Sequence, residues 1–239
     1  MQDWIIEKLL EITPEEQRIL SGDSVEKNLY TSQNEFVVEA NKLFQEDDQI
    51  SIRPHTRFVD FPPHKHNYIE IIYMVKGKTV HTLDQDKVSL GTGEILILNQ
   101  QVLHSIKKAN EGDLAINIVV LPSFFEYTLE LFGVNNVIGK FLVQTFRPDK
   151  EESSYLHFKV GEAQPVQNLM ENIIIHLINQ ETMHLKLIKI TMALLMMELM
   201  DHTENLVSSS LDRKSLIIAE VLHEVEENYR EPNLSAIAT

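Results

Sequence analysis

The strongest constraint on the fold is a run of short β-rich segments between residues 49 and 121, with no helical segment among them. Glycine-containing turns at 76–78 and 91–93 separate these segments at short intervals. Strands at this spacing, without helices between them, are typical of a β-sandwich or a small barrel. The predicted strands lie at residues 50–54, 68–75, 78–83, 87–90, 94–98 and 114–121.

The segments on either side of the strands have helical patterns. Near the amino terminus, Thr13, Pro14 and Glu16 have the spacing of a capping box at the start of a helix. After the strands, helices are predicted at 123–132, 164–179 and 181–205, while residues 133–162 have no clear assignment. The chain is therefore predicted to be α+β overall. Its predicted parts are an acidic extension at 1–48, a barrel at 49–121, a helical dimerisation and linker segment at 122–207, and a further helical module that starts at 212–239.

The predicted helix at 181–205 is apolar on two sides. One side is a seam with alternating spacings of three and four residues, which is the pattern of a helix–helix contact. We predict that this seam forms the interface of a homodimer; a fully internal core helix is the alternative. The seam consists of Leu185, Ile188, Met192, Leu195 and Leu199, and the second side consists of Leu187, Ile190, Leu194 and Met197.

Composition excludes several classes of protein. The 239 residues contain no cysteine, so disulfides, thiolate catalysis and cysteine-based zinc sites are impossible. The net charge of −15 predicts that this polypeptide binds DNA poorly. The amino terminus carries acids where a signal peptide carries bases, and the most apolar stretch, 188–200, is too short to span a bilayer. We expect a soluble, cytoplasmic protein without a membrane partner.

Histidines and a glutamate form a candidate metal site. Because side chains two residues apart on a strand share a face, His64, His66 and Glu70 should point the same way. We expect His104 to join them from another strand. Imidazoles and a carboxylate suit a divalent ion such as Zn, Ni, Mn or Fe. The alternative is a polar pocket wall that holds no metal.

Four further residues are candidates for a ligand pocket. Tyr68 shares the face of His66, and its hydroxyl could contact a ligand, although core packing is the usual role of such a residue. His81, on the next predicted strand, could face the barrel interior or be structural. Arg53 and Arg57 could hold an anionic ligand or could pair with acidic residues of the chain itself.

The spacing of these residues resembles the two cupin motifs. The first is matched by residues 64–77, with two histidines, a glutamate and a final glycine, and the second by Gly93 through His104. Phe58 stands where the first motif has its leading glycine. The resemblance implies a cupin-like barrel, that is, a double-stranded β-helix or jelly roll, with four metal ligands retained. In the second motif, Asn99, Gln101 and Lys108 replace the Pro, Gly and Asn of the family.

A wider resemblance indicates one branch of the cupins. Residues 63–77 and 90–106 resemble the amino-terminal sensing domain of AraC/XylS-type transcriptional regulators. Residues 214–239 resemble the opening of the DNA-binding module of that family, and the chain ends one turn into a helix, as a truncated form would. The resemblance implies a small-molecule effector in the barrel, a homodimer formed by the following helices, and DNA binding by basic helices that lie further along.

Two functional classes follow from these features. The first, which we predict, is the effector-sensing and dimerisation portion of a transcriptional regulator, which is not an enzyme. The alternative is a metal-dependent cupin oxygenase or isomerase. The retained ligands favour the enzyme, whereas the carboxyl-terminal resemblance and the helical seam favour the regulator. The residues do not identify the effector or the operator, nor do they indicate activation or repression or assign a role to residues 1–48.

Overall fold

The strands of the described part of the chain form two sheets that face each other. The computed structural model describes residues 1–44, 48–146, 152–179 and 184–208, so the module predicted at 212–239 lies outside the described residues. The strands are β1 (Val37–Val38), β2 (Ile50–Pro54), β3 (Phe61–His66), β4 (Ile69–Lys76), β5 (Lys78–Leu83), β6 (Asp86–Gly91), β7 (Ile95–Leu98), β8 (His104–Ile106), β9 (Leu114–Val120), β10 (Tyr155–Phe158) and β11 (Leu206–Ser208).

The two sheets form the predicted cupin-like barrel. One has the order β1-β3-β8-β5-β6, and the other has the order β11-β10-β7-β4-β9-β2. All pairings are antiparallel except that of β1 with β3. An apolar cluster that includes Ile72, Leu90 and Leu96 draws its residues from both sheets and therefore lies between them. The predicted strands and the α+β class are confirmed.

Two strands of the second sheet come from the part of the chain after residue 121. β10 lies in the stretch that had no clear assignment from sequence, and it pairs with β7. β11 pairs with β10, so the chain returns to the sheet after its long helices. The helical segment predicted at 122–207 thus contributes to the barrel as well as to the layer beside it.

The described part of the chain has six α-helices. They are α1 (Asp3–Leu10), α2 (Pro14–Leu20), α3 (Glu126–Phe132), α4 (Val137–Thr145), α5 (Gln164–Asn179) and α6 (His184–Met200). All of them except α2 add residues to the core on the outer face of the six-stranded sheet. α5 and α6 pack against each other, and their buried residues join the outward-facing side chains Ile69, Ile71 and Tyr73 of β4 in one large core. None of the described helices is long and apolar enough to cross a membrane.

Burial on α6 corrects the predicted dimer interface. Ile188, Met192, Leu195 and Leu199 are completely buried within the chain, and Leu185 is half-buried against the same core. These side chains are not available to a second copy, because they pack against the chain's own helices and sheet. The exposed apolar residues of α6 are those of the other side, Leu187, Ile190, Leu194 and Met197, at 44%, 55%, 48% and 42%.

The amino-terminal extension closes one end of the barrel. Thr13 and Glu16 form the predicted capping box at the start of α2. Beyond α2, Tyr30, Val38 and Ala40 pack in a cluster with barrel residues that include Phe61. β1 extends the five-stranded sheet beside β3. Residues 25–44, which we call the covering segment, therefore lie over the barrel mouth.

Candidate metal and effector site

A layer of buried polar side chains crosses the barrel between two apolar clusters. Alternation along a strand turns such residues inward, as it does for Glu70 between the outward-facing Ile69 and Ile71. The apolar cluster between the sheets lies on one side of this layer, and the cluster of the covering segment lies on the other. The polar layer consists of His55, His64, His66, Glu70, His81, His104 and Asn117, each at most 8% exposed.

Three of the four predicted metal ligands come together. Candidate ligand atoms of His66, Glu70 and His104 all lie within 4.8 Å of one another. Glu70 Oε2 is 3.4 Å from His104 Nε2 and 3.8 Å from His66 Nε2. These three atoms are buried and have no hydrogen-bond partner. A set of two imidazoles and one carboxylate with unused lone pairs fits a divalent transition-metal ion.

His64 lies beside this triad. Its ring centroid is 4.0 Å from that of His104, and its Nδ1 donates to the Pro62 carbonyl at 2.9 Å. The described group of converging ligand atoms does not include it. The predicted set of four ligands is thus reduced to three, with His64 as a neighbour that packs against the Phe61 ring.

Hydrogen bonds define how the triad presents its atoms. His66 Nδ1 donates to the Tyr68 carbonyl at 2.7 Å, which leaves Nε2 of the neutral ring as an acceptor. Asn117 Nδ2 donates to Glu70 Oε1 at 2.9 Å, so that Oε2 faces the imidazoles. Asn117 Oδ1 in turn accepts from His55 Nδ1 at 2.9 Å. Such outer contacts orient ligands in metal sites.

Sequence analysis missed His55 and Asn117, although both carry a signal. Asn117 is a polar residue within the otherwise apolar strand β9. His55 follows β2 and continues the alternation of Arg53, two residues earlier. Neither belongs to a motif, and their contact joins positions 62 residues apart, so the pairing could be found only in three dimensions.

Burial controls protonation in the polar layer. It raises the pKa of Glu70 to about 7, against the opposing effects of the Arg53 charge and the Asn117 hydrogen bond. It lowers the pKa of His55 and His64 to about 4 and that of His66 to about 3. Neutral imidazoles are the form that binds a metal. The layer is therefore competent to bind a metal at neutral pH without prior deprotonation of histidine.

The four candidates for a ligand pocket differ in where they lie. Arg53 and Tyr68 line a cavity of about 20 Å³ next to the polar layer. Arg53 Nη2 also contacts Tyr30 Oη at 2.9 Å and Glu15 Oε2 at 3.4 Å, so it joins the covering segment and α2 to the barrel. His81 is fully buried, and its Nε2 is 2.9 Å from Thr79 Oγ1.

Arg57 is not a ligand-binding residue in this structure, which corrects the prediction for this position. Its guanidinium is buried, and it donates to Glu16 Oε1 at 2.7 Å and to Glu16 Oε2 at 3.0 Å. Its remaining donors reach the carbonyls of Glu11 and Glu111. With its donors occupied by the chain itself, Arg57 has a structural role.

A larger cleft lies on another side of His66. It has a volume of about 380 Å³ and is lined by polar side chains, including Asn67, Gln101 and Gln144. Asn99, a departure from the cupin motif, lies at its edge and donates through Nδ2 to the Glu152 carbonyl at 2.8 Å. The triad is thus within reach of a solvent-filled space through the His66 ring.

A family of ligand-binding domains and several solved structures are similar to this chain. A protein-family model described as the AraC-like ligand binding domain matches residues 49–182. ToxT from Vibrio cholerae, in a structure bound to (E)-4-(8-methylnaphthalen-1-yl)but-3-enoic acid, is similar with 10% identity, 79% of this chain and 69% of that chain covered, and a TM-score of 0.41. The search of curated proteins found no match.

Cupin proteins are similar to about a third of the chain. A cupin protein from Bacteroides fragilis has 25% identity, with 30% of this chain and 64% of that chain covered and a TM-score of 0.26. A protein from Shewanella frigidimarina that contains a cupin-2 domain has 17% identity, with 31% of this chain and 72% of that chain covered and a TM-score of 0.27.

Proposed function

The chain belongs to the AraC-like ligand-binding domain family, and we propose that it is the effector-sensing and dimerisation portion of an AraC-type transcriptional regulator. The observation that carries the proposal is the family match over residues 49–182, a range that includes every residue of the polar layer. Buried polar atoms without a hydrogen-bond partner are costly for stability, and a bound ligand would supply the missing partners. The effector is therefore proposed to bind at this layer.

In this proposal, dimerisation uses the exposed face of α6. Four apolar side chains, Leu187, Ile190, Leu194 and Met197, are 42–55% exposed along this helix. They are spaced so that they share one side, while the opposite side is in the core. A second copy of the chain could cover this face with the same residues, as a two-fold interface requires.

DNA binding is assigned to the module that begins at 212–239 and not to the described part of the chain. The net charge of −15 opposes contact with phosphates. A regulator of this kind acts in the cytoplasm, where it meets both effector and DNA.

The alternative function is a metal-dependent cupin enzyme, and the triad of His66, Glu70 and His104 favours it. Those residues would hold a divalent ion, which when bound supplies Lewis acidity for the activation of oxygen or substrate. We favour the sensor because the family model that matches residues 49–182 is a ligand-binding domain.

A reporter assay tests the proposed function. Residues 1–208 are fused to a DNA-binding domain that represses its operator only as a dimer. We expect repression that changes when cells receive the effector, and that is lost in a fusion with Leu194→Glu. A fusion that never represses, together with turnover of an organic substrate by the purified chain, would identify the enzyme instead.

A further inference from the structure

We propose that the effector is a small hydrophilic organic cation and that it binds in the cleft of about 380 Å³ beside His66. The inference rests on the proposed sensing function and adds to it a binding position and a chemical class. Its basis is the volume of the cleft, the free hydrogen-bonding groups in its wall, the carboxylates at its open side and the elements that meet there.

The cleft has the volume of an organic ligand site. Such pockets measure roughly 300–1,000 Å³, and the cleft measures about 380 Å³. The cavity that Arg53 and Tyr68 line has about 20 Å³, which is room for about one water molecule. His66 lines the cleft, so an occupant of the cleft meets the polar layer through this residue.

The wall of the cleft is polar and has unused hydrogen-bonding groups. Val37 is the one hydrophobic side chain among the described residues that line it. Gln101 and Gln144 are half-buried, and neither side chain has a hydrogen-bond partner in the described part of the chain. Gln100 donates through Nε2 to the Thr145 carbonyl at 3.0 Å, and its Oε1 has no partner among the described residues. A hydrophilic occupant would satisfy these groups, whereas a hydrocarbon would cover them without a partner.

The charges in the wall of the cleft favour a cation. Glu35 and Glu152 line the cleft, and neither carboxylate forms an ion pair or a hydrogen bond with the described residues. Lys65 is the one lysine or arginine among the described residues of this wall. The two carboxylates therefore outnumber the ammonium group, in a chain whose net charge is −15. Such a field attracts a cation and repels an anion.

The inner end of the cleft adds a hydrogen-bond acceptor. Because His66 is 1% exposed while Glu35 and Glu152 are exposed, the imidazole lies at the inner end and the carboxylates lie at the open side. His66 Nδ1 donates to the Tyr68 carbonyl, so Nε2 of the neutral ring is an acceptor, and it has no hydrogen-bond partner. An N–H group of the occupant that reaches this ring would supply the missing donor. Acceptors at both ends of the cleft suit an ammonium group, which is a donor only.

The cleft lies where four parts of the fold meet. Its wall draws residues from the covering segment, from β3, from the chain between β7 and β8, and from the end of α4. α4 packs in turn against α6, which carries the proposed dimer face. An occupant that contacts all four parts disfavours their separation, because a ligand stabilises the arrangement that binds it. The cleft therefore connects a ligand to the helix of the proposed interface.

Three sugars of similar size and different charge test the proposal. D-Glucosamine, D-glucose and D-glucuronate are titrated into the chain of 239 residues at pH 6.5, where the amine is protonated, and backbone amide shifts are followed by NMR. We expect glucosamine to bind at least about tenfold more tightly than glucose, and glucuronate to bind more weakly than either. The shifted amides should lie around Asn67, Gln101 and Gln144. High salt should reduce the preference for glucosamine, because it screens the carboxylates.

Variants separate the charges of the cleft from charges elsewhere. Glu35→Gln and Glu152→Gln should each weaken glucosamine binding at least about threefold and leave glucose binding unchanged. Glu162→Gln is the matched control, because Glu162 is also exposed but is not among the described residues of the cleft wall, and its affinities should equal those of the wild type. Lys65→Gln should strengthen glucosamine binding, a gain that misfolding cannot produce. Gln101→Trp should fill the cleft and abolish binding of all three sugars, and circular dichroism establishes that each variant is folded.

The outcomes distinguish this inference from the proposed function. Folded wild-type protein that does not bind glucosamine at high millimolar concentration would overturn the inference, and so would equal binding of the three sugars or shifts confined to amides outside the cleft. If the reporter fusion responds to an anionic or apolar compound and not to amines, the sensing function stands and the proposed class of effector is wrong. If glucosamine binds in the cleft but the fusion never represses, the regulator proposal fails while the binding site stands.

Discussion

Two adjacent glutamates on α2 form ion pairs that differ in burial and in contact geometry. Glu16 is buried and contacts Arg57 through both oxygens, whereas Glu15 contacts Arg53 through one atom pair at 3.4 Å at a partly exposed position. Burial raises the pKa of Glu16, but hydrogen bonds from Arg57 and Thr13 together with the Arg57 charge outweigh it and leave the pKa below 4.5. The chain therefore depends on the ionised form of Glu16.

Glu16→Gln should destabilise the protein by about 3–5 kcal/mol, because it leaves the Arg57 charge buried without a counter-charge. Glu15→Gln is the matched control and should cost no more than about 1 kcal/mol, as pairs near the surface do. Urea unfolding at pH 7 measures both. Equal losses in the two variants would contradict the distinction between the pairs.

Gly93 is required by a positive φ and by a close approach of two backbone segments. Gly93 has a φ of +78°, and a Cβ there would lie 2.6 Å from Gly161 Cα. This close approach brings the turn before β7 against the turn before α5. The glycine that the second cupin motif prescribes is thus explained by backbone packing. Phe58, in contrast, has a φ of +71° at the position where the first motif has glycine, so this chain accepts the strain of a side chain in that conformation.

Gly93→Ala should destabilise the fold by about 2–4 kcal/mol, from the strained φ and from the clash with Gly161. Gly112→Ala serves as the control, because a Cβ at Gly112 meets nothing within 4 Å. That variant should change the free energy of unfolding by less than about 1 kcal/mol. Thermal unfolding of both variants gives the comparison, and similar melting temperatures would refute the clash.

At the scale of elements, α6 shows that periodicity does not decide which side of a helix is buried. Both apolar sides of this helix satisfy a spacing of three and four residues. The contacts of the side that contains Met192 are made with α5 and α3, which sequence patterns could not place relative to α6. The interface is accordingly proposed on the side that contains Leu194.

Leu194→Glu should dissociate the proposed dimer while it leaves the melting temperature of the monomer nearly unchanged, because the side chain is 48% exposed. Met192→Ala is the contrasting variant: it should cost about 2–5 kcal/mol in stability and leave self-association intact wherever the protein is folded. Sedimentation velocity at several concentrations tests both. A monomeric wild type, or an unaffected dimer of the Leu194 variant, would move or remove the interface.

Over the whole molecule, the polar layer makes stability dependent on pH. Folding lowers the pKa of His55 and His64 to about 4, while unfolded histidine titrates near 6.5. The unfolded state therefore binds protons first as the pH falls, and stability present above pH 6.5 is lost between about 6.5 and 4. Glu70 acts in the opposite sense between 4.5 and about 7, because its pKa is raised, but it is one group against several histidines.

The free energy of unfolding should thus decrease steeply from pH 6.5 to pH 4.5. Burial also holds the pKa of His81 well below its usual value, so His81→Leu should remove one proton from the linkage and flatten the slope by about 1.4 kcal/mol per pH unit. Denaturant titrations at pH 7, 6 and 5 measure the slope of each protein. A wild-type stability that is constant over this range would show that the imidazoles are solvated.

Much of the barrel could be predicted because the alternation of side chains along a strand and the residues of a turn are local sequence signals. His66, Glu70 and His104 were found in the same way, from spacing within single strands. The covering segment could not be predicted, since its contacts depend on the arrangement of Tyr30 and Val38 over strands far along the chain. The same holds for the partner of Arg57, which lies 41 residues away. Dimerisation, metal binding and the DNA-binding module remain predictions.

The return of the chain in β11 connects Ser208 to the barrel through the backbone of one sheet. Glu70 on β4 and the residues of β11 are separated by β7 and β10, that is, by three hydrogen-bonded steps and roughly 14 Å. Ser208 therefore belongs to the same hydrogen-bonded sheet as Glu70, whereas His66 and His104 lie on the other sheet. An insertion after Ser208 would leave this pairing intact, whereas a proline in β11 would remove a hydrogen bond between β11 and β10 and so weaken the link of Ser208 to Glu70.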